Sequence, residues 1–337
     1  VIKMKIHEAQ FYKKWSGEII CQLCPHTCTL LDGEVGKCGV RKSKGEILST
    51  ENYGKVVALN IDPIEKKPLF HFWPGSRVFS IASPGCNLNC DWCQNFEISQ
   101  DPNTQSHHME PEEIVKEAVN SKVHGMAYTY TEPTVAYEFF YDIMKLAKKE
   151  GLFNIWVSNG LINPEPLKKI GKLIDAANID IKGNTRVYRH YADGVSVEPI
   201  LKTIEYFHKH SWVEVTNLVV PKVNDSLKDL EWLVDYLAGL DEKMPLHISA
   251  FHPDNRMMSK NPTSPDKIKE LVKKAKEQLE YVYAGNIGED TATHCLGCGV
   301  NLILREGFSI KTVHTLKDKC PDCGDKTPFR GRIIKSF

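Results

Sequence analysis

The sequence predicts an α/β protein, a partial (β/α)6 parallel barrel with a cysteine-rich segment before it and a zinc-ribbon-like module after it. Three observations predict this. Between Val78 and Leu279, short apolar runs alternate with amphipathic segments, a pattern that folds into repeated right-handed βαβ units. The first of these runs ends in three closely spaced cysteines, Cys86, Cys90 and Cys93. The other eight cysteines fall into two sets of four, one on each side of the alternating region. The expected units are 1–75, 76–290 and 291–337.

Composition sets the class. The chain has 337 residues, 42% hydrophobic and 26% charged, which is ordinary for a globular protein. Lys+Arg and Asp+Glu both total 43, so no net charge draws the chain to nucleic acid or to a membrane surface, and neither is expected as a partner. No apolar run reaches the length of a membrane span, and Val1–Trp15 is charged rather than signal-like, so a cytoplasmic enzyme is expected. Eleven cysteines in such a chain point to metal rather than to disulfides.

The first set is Cys21, Cys24, Cys28 and Cys38, closed by Gly36-Lys37-Cys38-Gly39. Four thiolates there could hold an iron–sulfur cluster or zinc. Leu48–Leu59 reads as a strand. The stretch from Asp62 to Gly75 carries three prolines, which exclude a helix interior, and its aromatics either cover the cysteine loop or pack beneath it.

The barrel reading follows in order. Strands are expected at Val78–Ala82, Gly125–Tyr130, Phe153–Ser158, Asn178–Ile181, Val213–Val220 and Leu246–Phe251, with one further strand at Tyr281–Ala284. Helices are expected from Pro111, over Thr134–Glu150, after Pro164, over Val197–His210, from Ser226 with Asp229 in a capping box, and after Ser264-Pro265. A flavodoxin-like open sheet is the alternative topology. At the end of the chain, Cys295-x2-Cys298 and Cys320-x2-Cys323 form two knuckles for structural zinc. Nearby Arg305, Lys311, Lys317, Arg330 and Arg332 read as a solvated face.

Barrels present function at the carboxyl ends of their strands, and the first end is Ser83-Pro84-Gly85-Cys86-Asn87-Leu88-Asn89-Cys90-Asp91-Trp92-Cys93-Gln94-Asn95. Three thiolates leave one iron of a cubane without a protein ligand, and an open metal position is where chemistry takes place. This loop resembles that of the radical S-adenosylmethionine superfamily, including the aromatic Trp92 before the last cysteine. The resemblance implies a 4Fe-4S cluster on Cys86, Cys90 and Cys93 that binds S-adenosylmethionine and cleaves it to a 5′-deoxyadenosyl radical. The electron donor would be a ferredoxin or flavodoxin.

Other strand ends extend the resemblance. Glu132 stands where the superfamily's Gly-Gly-Glu motif has its acid, with Tyr130 and Thr131 in place of the glycines. Ser158-Asn159-Gly160 and Asp180-Ile181-Lys182 are similar to stretches of the pyruvate formate-lyase activating enzyme, although Val157 lacks the carboxylate found there. That likeness implies cofactor contacts from Glu132, Ser158, Asn159, Asp180, Lys182, Asn217 (or Thr216) and His252, with Asn286 bordering the adenine. Taken together, Asp62-Pro63-Ile64-Glu65-Lys66-Lys67-Pro68-Leu69, Tyr130-Thr131-Glu132-Pro133-Thr134 and Tyr283-Ala284-Gly285-Asn286 look like the AmmeMemoRadiSam-system radical enzyme family. The expected reaction is hydrogen abstraction from a protein, as by a glycyl-radical activase. The alternatives are a small molecule, lipid or other macromolecule as substrate, and a non-catalytic iron–sulfur or zinc module.

Overall fold

The computed structural model describes residues 6–101, 104–315 and 318–335. Its centre is an eight-stranded sheet: β1 (Ala58–Pro63), β2 (Arg77–Ala82), β3 (Gly125–Tyr128), β4 (Phe153–Ser158), β5 (Ala176–Asp180), β6 (Trp212–Val219), β7 (Leu246–Ala250) and β8 (Val282–Gly285). Strands β2 to β8 run parallel and lie side by side in chain order, while β1 pairs antiparallel with β2 at one edge. This sequential order is that of a barrel, since a flavodoxin-like sheet would place its second strand outside the first. Among the described residues no ladder joins β8 to β1, so the barrel stays open.

The crossovers carry helices α1 (Pro111–Asn120), α2 (Tyr137–Lys149), α3 (Pro164–Ile170), α4 (Thr185–Tyr191), α5 (Glu198–His210), α6 (Leu227–Leu240) and α7 (Pro265–Ala275). Ser226 and Ser264 cap α6 and α7 through the amides of Asp229 and Lys267. The stripe Phe139, Phe140, Ile143 and Ala147 of α2 is core. Helix α4 is absent from the sequence reading. Only Val187 and Tyr188 of its seven residues are buried, too few to show a helical period, and Asn184 caps it by accepting from the Arg186 and Val187 amides.

Two expectations need correction. Leu48–Leu59 is not one strand: Ile47–Thr50 pairs with Arg41–Lys44, and Ala58–Pro63 joins the main sheet as β1. Gly54, at φ +76°, turns the chain between them, and a Cβ there would lie 2.4 Å from the His108 ring. Arg305 is not on a solvated face. It is fully buried and donates to the Phe70 carbonyl (2.7 Å) and to Thr293 Oγ1 (2.9 Å), with Glu65 at 3.6 Å. It thereby ties the three-stranded sheet Thr291–His294, Asn301–Glu306 and Ser309–Val313 to the barrel. Lys317 lies outside the described residues. Among them no helix is long and apolar enough to cross a membrane.

The aromatics between β1 and β2 pack beneath the barrel. Phe72 meets Phe153 at the start of β4, and Phe70 lies edge-on to His247 of β7. Glu214 of β6 holds this segment. Its buried carboxylate accepts from the amides of Phe70 (2.9 Å) and His71 (2.8 Å), from Trp212 Nε1 (3.0 Å) and from His247 Nε2 (2.7 Å). Burial disfavours its charge, but His247 and the Phe70 amide outweigh burial and hold its pKa at about 2, below the ordinary 4.5. A depressed folded pKa stabilises the fold above pH 4.5, and that contribution is lost as pH falls through 2. Its size is on the order of 3 kcal/mol. Glu214→Gln should therefore be less stable than wild type at pH 7 in denaturant unfolding, with the gap closing toward pH 2. Equal stability at pH 7 would contradict this account.

Candidate active site

Strand β2 is buried from Val78 to Ala82 and delivers the cysteine loop to the carboxyl end of the sheet. The loop is irregular and depends on borrowed partners. Gly85 adopts φ +107°, and a Cβ there would lie 2.8 Å from Val40 and 2.9 Å from the Cys38 carbonyl. The Asn87 amide donates to the Leu161 carbonyl (2.8 Å) and accepts from the Asn159 amide (2.9 Å). Asn89 and Asp91 donate from their backbones to Ala192 and Tyr191 at the end of α4. Arg256 holds the outside through Asn89 (2.7 Å) and Asp91 (2.8 Å).

The three thiols face a cleft of about 360 Å³ above the parallel strands. The Leu88 amide donates to Cys86 Sγ at 3.4 Å, Asn159 Nδ2 lies 3.9 Å from the same sulfur, and Ser99 Oγ lies 3.6 Å from Cys93 Sγ. Donors aimed at sulfur favour thiolates, so the set fits a metal cluster. In the metal-free protein, burial pushes the Cys90 thiol up to about 12, against the pull of Lys182.

The cleft collects most of the expected residues. Glu132, Ser158, Asn159, Asp180 and Lys182 all line it, as does Asn286. Glu132 is 3% exposed and joins two strand ends, accepting from the Thr134 amide (2.9 Å), Ser158 Oγ (2.8 Å) and the Asn159 amide (2.9 Å). Burial raises its pKa despite those bonds. Lys182 donates to Asp180 Oδ2 at 2.5 Å. Burial works against its ammonium, but Asp180 and Cys90 outweigh it and hold the pKa above its ordinary value. Asp180 Oδ1 is buried with no hydrogen-bond partner among the described residues. It is an acceptor in a cleft, waiting for a donor.

Two expected residues stand elsewhere. Asn217 turns its amide to the Ile181 carbonyl (2.7 Å) and is not part of the cleft lining, where Thr216 and Leu218 appear instead. Alternation along β6 puts those two on the opposite face from Asn217. His252 is exposed and accepts from the amide of Gln94 at 2.6 Å, so it sits at the mouth and touches the cleft through Gln94.

The sequence reading gave no site role to Lys66, Lys67 or Tyr130, which also line the cleft. The Tyr130 hydroxyl donates to Asp62, and Lys67 pairs with the same carboxylate at 2.6 Å. Burial opposes ionisation of Asp62, yet Lys67 and Tyr130 hold its pKa below the usual carboxylate range. Burial in turn lowers Lys67 to about 8, against the pull of Asp62. The paired lysines before Pro68 were the available signal, but nothing local says that a segment ahead of β2 returns across strand ends.

The C-terminal knuckles form a second candidate centre. Cys295, Cys298, Cys320 and Cys323 have all their sulfurs within 4.8 Å of one another, an arrangement that can hold a metal ion. Cys295 and Cys323 are 3.5 Å apart, and Cys298 and Cys320 are 3.7 Å apart. Each knuckle closes on a glycine of positive φ, Gly299 or Gly324, whose amide returns to the first cysteine's carbonyl.

Comparison with known proteins agrees with this geometry. The sequence model of the Radical SAM superfamily matches residues 80–237, from β2 through most of α6. The chain belongs to the radical SAM superfamily. Over 332 residues it is 42% identical to an uncharacterized protein of Methanocaldococcus jannaschii, covering 95% of this chain and 98% of that one. It is 25% identical to the pyruvate formate-lyase-activating enzyme of Streptococcus mutans, over 65% of this chain and 81% of that enzyme. Identity to the same enzyme of Clostridium pasteurianum is 24%, over 61% and 93% of the two chains. As a radical SAM protein with activating-enzyme relatives, the chain is an enzyme, and its cysteine sets fit metal binding.

Proposed function

We propose that this radical SAM enzyme binds a 4Fe-4S cluster through Cys86, Cys90 and Cys93 and reductively cleaves S-adenosylmethionine in the cleft above β2–β8. The observation that carries the reading is the three-thiol loop opening onto a cleft that also holds the unpartnered Asp180 Oδ1 and the Asp180–Lys182 pair. A cluster held by Cys86, Cys90 and Cys93 would supply one electron to the sulfonium, giving methionine and a 5′-deoxyadenosyl radical that would take a hydrogen atom from the substrate. Side chains do the rest. Asp180 accepts from a donor of the bound cofactor, Lys182 faces its carboxylate, and Glu132 holds the ends of β3 and β4 in register around it. Tyr130, Lys66 and Lys67 line the same cleft.

Likeness to the activating enzymes favours a protein substrate and hydrogen abstraction of the activase kind, and the motifs that look like those of the AmmeMemoRadiSam-system family support a reading of the chain as a member of it. For the C-terminal knuckles we propose zinc, because a tetrahedron with Zn–S near 2.3 Å separates its sulfurs by about 3.8 Å. The observed 3.5 and 3.7 Å are close to that spacing. Units at 1–75, 76–290 and 291–337 remain our proposed division.

The test is anaerobic reconstitution with iron and sulfide, followed by chromatographic measurement of 5′-deoxyadenosine under a strong reductant. Absence of product from fully loaded protein would overturn the reading. Asp180→Asn removes a charged acceptor worth about 1.5–3 kcal/mol of a hydrogen bond. Calorimetry on the loaded protein should then show cofactor affinity reduced roughly 10- to 150-fold. An unchanged Kd would remove Asp180 from the cofactor site.

A further inference from the structure

The N-terminal cysteines are not absorbed by the site above, yet their segment is bonded to its cysteine loop through His26 and the Asn87 carbonyl. Cys21, Cys24, Cys28 and Cys38 line one enclosed cavity of about 20 Å³. Folding brings them together through short-range bonds: the Cys21 amide donates to the Cys28 carbonyl (2.9 Å), Thr27 to Cys24 (3.1 Å), and Gly36 to Arg41 (2.8 Å). Gly36 leaves room beside Cys28, since a Cβ there would already contact its Sγ at 3.6 Å.

The setting of the four thiols bears on which metal they hold. Among the described residues, the C-terminal set is the group whose sulfurs all fall within 4.8 Å of one another. Four sulfurs closed on one zinc stand about 3.8 Å apart and leave no internal space. The N-terminal four instead share a small enclosed cavity with His26, Arg41 and Val135.

A second observation points the same way. Arg41 is 1% exposed and lines this cavity. Its terminal nitrogens are satisfied, by both carboxylate oxygens of Glu138 (2.6 and 2.7 Å) and by the Gln10 carbonyl (2.8 Å). Its Nε is buried with no acceptor. Leaving such a group unpaired is costly, whereas an anionic tetrathiolate cluster supplies sulfur acceptors.

We propose that Cys21, Cys24, Cys28 and Cys38 ligate a second 4Fe-4S cluster, with Arg41 Nε donating to its sulfur. This places two iron–sulfur sites back to back. His26, between two of these ligands, bonds through Nε2 to the Asn87 carbonyl of the Cys86–Cys93 loop at 2.7 Å. A Cβ on Gly85 of the same loop would lie 2.9 Å from the Cys38 carbonyl. With all four irons held by protein, the second cluster has no open position for substrate, so its role is in electron supply or in shaping the first loop.

The experiment uses the full-length chain with Cys86→Ala, Cys90→Ala and Cys93→Ala combined, reconstituted anaerobically in the presence of iron, sulfide and zinc. We expect about four iron and four sulfide per chain, with an electron paramagnetic resonance signal of a reduced cubane after dithionite. Retention of two zinc and no iron overturns the proposal, as does the absence of both metals from the N-terminal set. Because the triple variant could lose its fold, Cys24→Ser/Cys28→Ser in the otherwise intact chain is the companion. It should lose about half of the wild-type iron, and full iron retention refutes the assignment. These readouts are metal counts and spectra, so they stand or fall independently of whether the loaded enzyme cleaves S-adenosylmethionine.

Discussion

Cys90→Ala is expected to abolish 5′-deoxyadenosine formation, a fall of at least roughly 10³-fold, while circular dichroism shows the barrel intact. Cys90 is the middle ligand and is 8% exposed, in contact with the core at the centre of the loop. Its removal leaves two thiolates, which cannot hold a cubane, and no side chain of the cleft can replace the cluster's electron. The fold should survive because the loop is held by other groups: Asn87 on Leu161, Asn89 and Asp91 on the end of α4, and Arg256 outside. Alanine also removes a thiol that burial keeps difficult to ionise without metal. Cleavage at the wild-type rate in Cys90→Ala would refute the central claim about this loop.

The second large effect concerns the C-terminal knuckles. Stripping the proposed zinc with a chelator, or replacing Cys323 by serine, should unfold the region from 291 to the end while leaving the barrel folded. The buried apolar cluster there is small: Cys295, Leu302 and Cys320, with Val300 and Phe329 against them. A structural zinc contributes about 10–16 kcal/mol of folding free energy to such a module, far more than this core can replace. Hydrogen exchange should show protection lost across Asn301–Glu306 and Ser309–Val313. It should also fall at Gly75, whose amide donates to Glu65, the acid beside Arg305. Unchanged exchange after complete metal removal would mean that the module stands on its own core.

Much of the fold was legible because its signals are local. The order of β2 to β8 and the starts of α1, α6 and α7 follow from apolar periodicity and from Pro111, Ser226 and Ser264, each of which acts within a turn of itself. The misses share a cause. Helix α4 is too short to show a period, yet its end carries Asn89 and Asp91. Arg305 looked like a surface cation because charge alone does not reveal that Glu65, 240 positions earlier, lies beneath it. Asn217 and Thr216 are adjacent in sequence, and only the facing of β6 decided which enters the cleft.

The sequence by itself determined the chemistry on offer: three cysteines at a strand end, a carboxylate–lysine pair two residues apart, and two sets of four cysteines. These are properties of spacing, which survive without coordinates because ligand reach along a loop is short. Tertiary structure decided what those groups can do together. It brought Lys67 and Tyr130 into the same cleft as Lys182, left one oxygen of Asp180 without a partner, and closed the four C-terminal sulfurs to within 4.8 Å of one another. Each of these depends on contacts between segments far apart in the chain. Such contacts form only when the burial of β2–β8 and their helices fixes the backbone, so no local pattern encodes them.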